Sequence, residues 1–203
     1  MRKEVNITFK KNPLLDGLIS KNTILVSGLV IAPVVFLANT VAKALTLMFV
    51  FSTITFLTIM ISSFIPRNIF YTIRIILYTV IASLVYIPVV ICAYRLFPEQ
   101  ASTMGIMLPL LIANSLILTK SETRFFRETK GRMLVDVLAY ITGFNVVTIL
   151  FAFIREFFGR GMIGDKIMGI SFTVPILTYP FAGFILLGLL AALFRVIKSY
   201  FSE

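Results

Sequence analysis

The sequence predicts an all-α membrane protein of six transmembrane helices, arranged as two inverted three-helix repeats, with the first and fourth helices interrupted. Three observations carry that prediction. The chain is 59% hydrophobic over 203 residues and has a mean hydropathy of +0.99, whereas soluble domains sit nearer ~45–50% apolar. Its apolar residues come in long, nearly uncharged runs, each close to the roughly 20 residues that cross a bilayer. Two of those runs are broken by proline and asparagine, in "SGLVIAPVVFLANT" (Ser27–Thr40) and in "PLLIANS" (Pro109–Ser115).

The spans are predicted at 14–38, 43–64, 70–97, 102–119, 133–156 and 171–195. The first follows a polar, basic start, "MRKEVNITFKKN", with no small-residue cleavage site, so no cleavable signal peptide is expected. The second ends at the breaker "IPRN" (Ile65–Asn68). The third carries Arg74 close enough to its start to snorkel, and it stops at "FPEQ" (Phe97–Gln100). The fourth holds Pro109, Asn114 and Ser115 and leads into the longest loop, "KSETRFFRETKGR" (Lys120–Arg132). The fifth contains Asp136 and Asn145, ends in Arg155-Glu156, and runs into "GRGMIGDK" (Gly159–Lys166) before the sixth. The whole is read as one transmembrane domain, 1–203, with repeat halves of about 1–100 and 101–203.

Cationic residues orient these spans. With the N-terminus placed in the cytoplasm, the inner side holds Arg2, Lys3, Lys10, Lys11, Lys21, Arg67, Arg74, Lys120, Arg124, Arg127, Lys130, Arg132, Arg195 and Lys198. The outer side holds only Lys43, Arg95, Arg155, Arg160 and Lys166. That bias places both termini in the cytoplasm, and the expected location is the inner membrane of a prokaryote. Tyr71, Tyr94, Phe97, Tyr179 and Tyr200 fit interfacial anchoring, though the chain has no tryptophan.

The net charge of +10 is accounted for by these loops facing anionic lipid. With no basic stripe interleaved with aromatics outside the spans, no nucleic-acid partner is expected. There is no histidine and one cysteine, Cys92, so neither an internal disulfide nor a His/Cys metal site can be built from this chain alone. Cys92 in "VVICAYRL" reads as a small apolar residue of the third span.

Each broken segment carries a proline followed by Ala-Asn: Pro33 with Ala38-Asn39, and Pro109 with Ala113-Asn114. The segments open successive halves of three spans, and an odd number of spans reverses the second half. Interrupted helices in such repeats meet near the midplane and form a site there. Proline frees a carbonyl that lipid cannot satisfy, and Asn39, Asn114 and Ser115 are groups able to do so. Ordinary kinks, whose polar groups close their own turn, are the plainer alternative.

Charges inside spans are costly, by at least ~2.5–3.5 kcal/mol at the bilayer centre, so they pair or face a cavity. Asp136 is expected to pair with Arg132, one turn before it. Arg155 and Glu156 are sequence neighbours and point in different directions, so at least one should meet another span or a neighbouring protein. No nucleophile–base pair, paired carboxylates or phosphate-binding loop is present. "GRGMIG" (Gly159–Gly164) is a connection between spans, not a strand–turn–helix. No catalytic residues are assigned.

Several stretches carry a resemblance over nearly the whole length. They are "NPLL" (Asn12–Leu15), the Pro33 segment, "GIMLPLLIANSLIL" (Gly105–Leu118), "IREFFGRG" (Ile154–Gly161) and "ILTYPFAGFILLGLLAAL" (Ile176–Leu193). On these the chain resembles the RnfE/NqrD family, integral membrane subunits of the Rnf complex and of the sodium-translocating NADH:quinone oxidoreductase. The resemblance implies six spans in inverted halves and a homologous partner subunit of opposite topology. It also implies a [2Fe–2S] cluster clasped between the two, each giving two cysteines, and flavin-bearing and ferredoxin-type subunits beside them.

The family's ligand motifs resemble "GLCP" and "NCA". Here they read Val30-Ile31-Ala32-Pro33 and Asn114-Ser115-Leu116, so Ala32 and Ser115 occupy the cysteine positions. Alanine cannot ligate iron, and a serine oxygen is a poor match to a thiolate shell. The expectation is a membrane subunit of an Rnf/Nqr-like ion-translocating electron-transfer complex without its own cluster or metal, with flavins in partner subunits. Pro33, Asn39, Pro109, Asn114 and Ser115 would line a midplane or ion path, and Asp136, Arg155 and Glu156 would make inter-helix or inter-subunit contacts. Two other functions fit the same scaffold. One is an ion or small-molecule carrier with its site at Asn39, Asn114 and Ser115. The other is a structural anchor for extracytoplasmic flavoproteins.

Overall fold

The computed structural model describes residues 22–66, 68–127, 129–164, 166–167 and 173–200. In order, its helices are α1 (Ile31–Leu37), α2 (Val41–Ser62), α3 (Tyr71–Leu96), α4 (Pro98–Met104), α5 (Ser115–Thr123), α6 (Lys130–Arg160) and α7 (Pro180–Tyr200). A 3-10 stretch, Gly105–Leu111, leads from α4 towards α5. Apart from a ladder of two residues on each side, Met162–Ile163 with Lys166–Ile167, the regular structure of the described residues is helical. Five segments are long and apolar enough to cross a membrane, with 98–123 counted as one span despite its break. The chain is a multi-pass, all-α membrane protein.

Helix dominates because backbone groups in lipid must be bonded within their own segment. Side-chain hydroxyls follow the same rule. Thr46, Thr53, Thr79, Ser83 and Thr142 each donate to the carbonyl four residues earlier. Helix α2 sits centrally, packed against α3, α5 and α6. Phe51 of α2 stacks on Phe144 of α6 with centroids 3.7 Å apart, and Ser52 and Asn145 exchange hydrogen bonds at 3.2 and 3.1 Å. By contrast α3 and α7 turn most of their surface outward, as Ile76, Leu84, Ile87, Leu189 and Leu193 show. That suits a lipid-facing rim.

The predicted span edges need correcting in three places. Residues 14–21 of the first span lie outside the described residues. The part that is described is helical only over Ile31–Leu37, because Asn22 folds the preceding chain into a turn. Its Oδ1 accepts from the amides of Ile24 (3.0 Å) and Leu25 (3.2 Å). The fifth span is longer than 133–156, running until Gly161 takes a left-handed φ of 66° and caps it. The helix of the sixth starts later than 171. Pro175 opens a 3-10 turn, Pro175–Thr178, and Pro180 opens α7. Both expected interruptions are present, before α1 and before α5, and each half is a broken segment followed by two long helices.

Candidate functional site

The two broken segments meet. Helix α5 begins at Ser115, capped by Asn114, whose Oδ1 accepts from the Leu116 amide at 2.9 Å. The other end of that side chain donates from Nδ2 to Thr55 Oγ1 at 2.8 Å. Ser115 Oγ accepts a hydrogen bond from the Val30 amide, 85 residues earlier in the chain, at 3.1 Å. Val30 holds φ 60°, a left-handed conformation that costs a β-branched residue about 1–2 kcal/mol. The strained residue is the one that turns the chain into α1 and offers its N–H to the serine.

Between the segments lies a cleft of about 360 Å³, lined by Val30, Ala32, Pro33, Leu110, Asn114 and Ser115 among others. Ala32 is the second residue of α1 and Ser115 the first of α5. The two positions that the resemblance matches to cluster ligands, Ala32 and Ser115, therefore sit at the starts of two half-helices and share one cleft. The Pro–Ala–Asn spacing that suggested the repeat does not mark equivalent places. Asn39 follows the end of α1, whereas Asn114 precedes the start of α5. The cleft itself is mainly apolar, and its polar side chains are committed to the bonds just given. An alanine methyl and a hydroxyl that already accepts a hydrogen bond do not fit an iron–sulfur cluster. Cys92, the sole thiol of the chain, is on an exposed part of α3. Among the described residues no group of three His, Cys, Asp or Glu side chains could hold a metal ion.

The opposite end of α1 is built very differently. Arg155 of α6 is 1% exposed, and its hydrogen bonds go to carbonyl oxygens. Nη1 donates to Val35 (2.7 Å) and Ala38 (3.3 Å), at the end of α1. Nε donates to Leu177 (2.9 Å), and Nη2 donates to Thr178 (2.7 Å) and Tyr179 (3.3 Å), at the end of the 3-10 turn. The carbonyls of Val35 and Ala38 lie at the end of α1, where intrahelical partners run out, and a cation there also meets the negative end of that helix. The Tyr179 carbonyl also accepts from the Gly183 amide at the start of α7. The guanidinium lies 5.3 Å from the Phe151 ring centroid. Glu156, next in sequence, turns to the start of α2 instead. Its Oε2 accepts from the Val41 amide at 2.7 Å and its Oε1 from the Gly164 amide at 3.2 Å. The consecutive pair thus grips both sides of the Ala38–Thr40 corner.

Two glycines make room for this grip. A Cβ on Gly183 of α7 would lie 3.0 Å from Val35 Cγ1 and 3.4 Å from Arg155 Cζ. One on Gly159 would lie 3.0 Å from Thr178 Cγ2. At the other end of α6, Asp136 is 3% exposed and is held bidentately by Arg124, at 2.8 and 3.1 Å. Arg124, brought from the end of α5, is thus a bidentate partner of Asp136. The interval from Asp136 to Arg155 spans roughly 28 Å at 1.5 Å per residue, close to the ~30 Å hydrocarbon thickness. Glu122 accepts from Arg74 Nη2 at 2.7 Å and from the Tyr78 hydroxyl.

The structure brings Ala32, Pro33, Asn114 and Ser115 together. It leaves Asn39 at the far end of α1, beside the Arg155 grip, and Pro109 on an exposed part of the 3-10 stretch. Of the carrier residues expected at Asn39, Asn114 and Ser115, the latter two line this cleft and Asn39 is not among its lining. Asn22, Thr55, Glu122, Gly159 and Gly183 are residues that sequence reasoning misses. Glycine is common in membrane helices, so Gly183 gives no signal. Glu122, facing Arg74 across two predicted inner ends, is a findable ion pair.

Comparison with known proteins agrees on one family. Residues 11–198 match the family model described as "Rnf-Nqr subunit, membrane protein". The chain is 28% identical over 196 residues to the E subunit of the proton-translocating ferredoxin:NAD(+) oxidoreductase complex of Clostridium ljungdahlii, covering 95% of this chain and 91% of the relative. It is 27% identical over 209 residues to the E subunit of the ion-translocating oxidoreductase complex of Shewanella oneidensis, covering 93% and 88%. A shorter match, 30% over 98 residues, covers 47% of this chain and 50% of the E subunit of the Na(+)-translocating ferredoxin:NAD(+) oxidoreductase complex of Acetobacterium woodii.

Proposed function

The chain belongs to the Rnf-Nqr family of membrane subunits, and from that membership we propose that it is a cluster-less membrane subunit of an ion-translocating electron-transfer complex. The observation that carries this reading is the shared cleft. Ala32 and Ser115 stand at the starts of facing half-helices, where the fold is retained and the donor chemistry for iron is absent. The subunit lies in the prokaryotic inner membrane with both termini cytoplasmic, which the distribution of lysine and arginine supports. Its partners are a homologous membrane subunit of opposite topology and flavin-bearing and ferredoxin-type subunits, in keeping with relatives named as subunits of oxidoreductase complexes. The redox centres reside in those partners.

Purification of the complex from native membranes tests this directly. Flavin-bearing subunits should co-purify with the chain. Total iron per complex and the spectrum of the reduced sample should be the same for wild type and for Ser115→Ala. Loss of an iron–sulfur signal on that substitution overturns the cluster-less reading, and a chain that purifies alone and catalyses uptake in proteoliposomes overturns the subunit reading.

A further inference from the structure

Helices α2 and α3 form a hairpin, so the start of α3 is level with the end of α2. Glu122, near the end of α5, is bonded to Arg74 and Tyr78 at the start of α3. Asn114, at the start of α5, is bonded to Thr55 midway along α2. The two anchors make α5 run parallel to the second half of α2. In that register Thr55 to Ser62 and Asn114 to Ser121 are the same advance of about two helical turns, so Ser62 and Ser121 stand at one level with Thr58 just before them. Thr58, Ser62 and Ser121 are 0%, 1% and 0% exposed. None of their hydroxyls has a hydrogen-bond partner among the described residues, and none bends back onto its own helix as Thr46, Thr53 and Thr79 do. Buried hydroxyls in proteins are satisfied by protein or by ordered water, and an orphan calls for explanation.

We propose that this seam binds a short file of water molecules, bridging Thr58, Ser62 and Ser121 and leading from the charged end at Glu122 to Asn114 in the wall of the cleft. Water suits the donor set: each hydroxyl both donates and accepts. A hard cation gathers about six oxygen ligands, more than three neutral hydroxyls supply, so the seam is a hydrated lead-in and not a resident ion site. This inference is independent of whether the cleft holds iron.

The test is made on the full chain in its native membrane with Cys92→Ala as background. Ser62→Cys, Ser121→Cys and, as an apolar control, Ile117→Cys are exposed to Ag⁺, a water-borne ion that blocks thiols, and remaining thiols are then labelled after denaturation. Ile117 is 1% exposed on the same helix as Ser121 and belongs to the apolar core. The expected result is that the thiols introduced at positions 62 and 121 are blocked while the one at position 117 is protected. Protection of all three to the same degree overturns the file. A second measurement is the sign of the Tm change in the near-isosteric Thr58→Val and Ser121→Ala variants. Removing a hydrated hydroxyl lowers Tm, whereas removing a dry, unpaired one raises it and overturns the proposal.

Discussion

The two ends of helix α1 are held in opposite ways. Its start is tied by one long-range hydrogen bond, from the Val30 amide to Ser115, beside a cleft lined by small and apolar side chains. Its end is tied by a buried arginine that gathers five carbonyl oxygens. A glutamate caps the next helix there, and two glycines leave room for the side chains of Val35, Arg155 and Thr178. The difference separates two jobs that the fold could have merged. Position of the half-helix is fixed from its far end, so the chemistry of the cleft can change without loss of architecture. On the proposed reading, that is how the positions of Ala32 and Ser115 can lose iron-binding side chains while both interruptions keep their place.

The strongest way to break this comparison is to remove the arginine. Arg155→Leu removes the donor from five carbonyls, of which those of Val35 and Ala38 are buried, and each buried acceptor left unsatisfied costs about 1–3 kcal/mol. We expect loss of folded protein or a large fall in Tm in detergent. Arg155→Lys should recover only part of it, because an ammonium cannot reproduce the forked geometry that serves two helix ends at once. If Arg155→Leu melts like wild type, the far end does not position α1.

Gly183→Ala probes the same end sterically. The new methyl would meet Val35 Cγ1 at 3.0 Å and the guanidinium carbon at 3.4 Å. Overpacking of this kind costs about 1–3 kcal/mol, read as a lower Tm. Gly188→Ala on the same helix, where nothing lies within 4 Å, should leave Tm unchanged or raise it by the propensity gain. Equal effects from the two glycines would mean that propensity, not space, is being measured.

One end of α1 is far more legible in the sequence than the other. Long apolar runs, loop breakers and the prolines suffice for the long helices and for the two interruptions, because hydropathy and helix breaking are local properties. The neighbours Arg155 and Glu156 announce that at least one must reach another element, and both do. What they reach is not readable. The five acceptors of Arg155 are backbone carbonyls, which every residue has. The apparent Pro–Ala–Asn repeat fails for the converse reason. It matches letters at Asn39 and Asn114 that lie on opposite sides of their half-helices, since spacing along the chain does not fix which end of a helix a residue occupies. Likewise Asp136 takes Arg124 from the preceding segment as its bidentate partner, because folding brings a guanidinium within 2.8 Å that sequence distance hides.

Glu156→Gln should show a smaller effect than either change above. The amide keeps one acceptor oxygen for the two N–H groups of Val41 and Gly164 and removes the negative charge at the start of α2. The expected loss is about 1–2 kcal/mol, from a charge-assisted bond and a helix-dipole contact. A Tm equal to wild type would remove the glutamate from the grip and leave Arg155 to hold the corner alone.

The smallest effects belong to the cleft, and they sharpen the comparison most. Ser115→Ala withdraws the acceptor from the Val30 amide and should cost about 1 kcal/mol. Ala32→Cys should cost still less, since Ala32 is exposed at the cleft and a thiol there meets open space. If substitutions at Ala32 and Ser115 shift Tm as far as Gly183→Ala does, the start of α1 is as tightly held as its end. The chemistry of the cleft would then be locked to the architecture. Small shifts at both cleft positions, beside a collapse at Arg155, are what a scaffold fixed from one end and free to vary at the other requires.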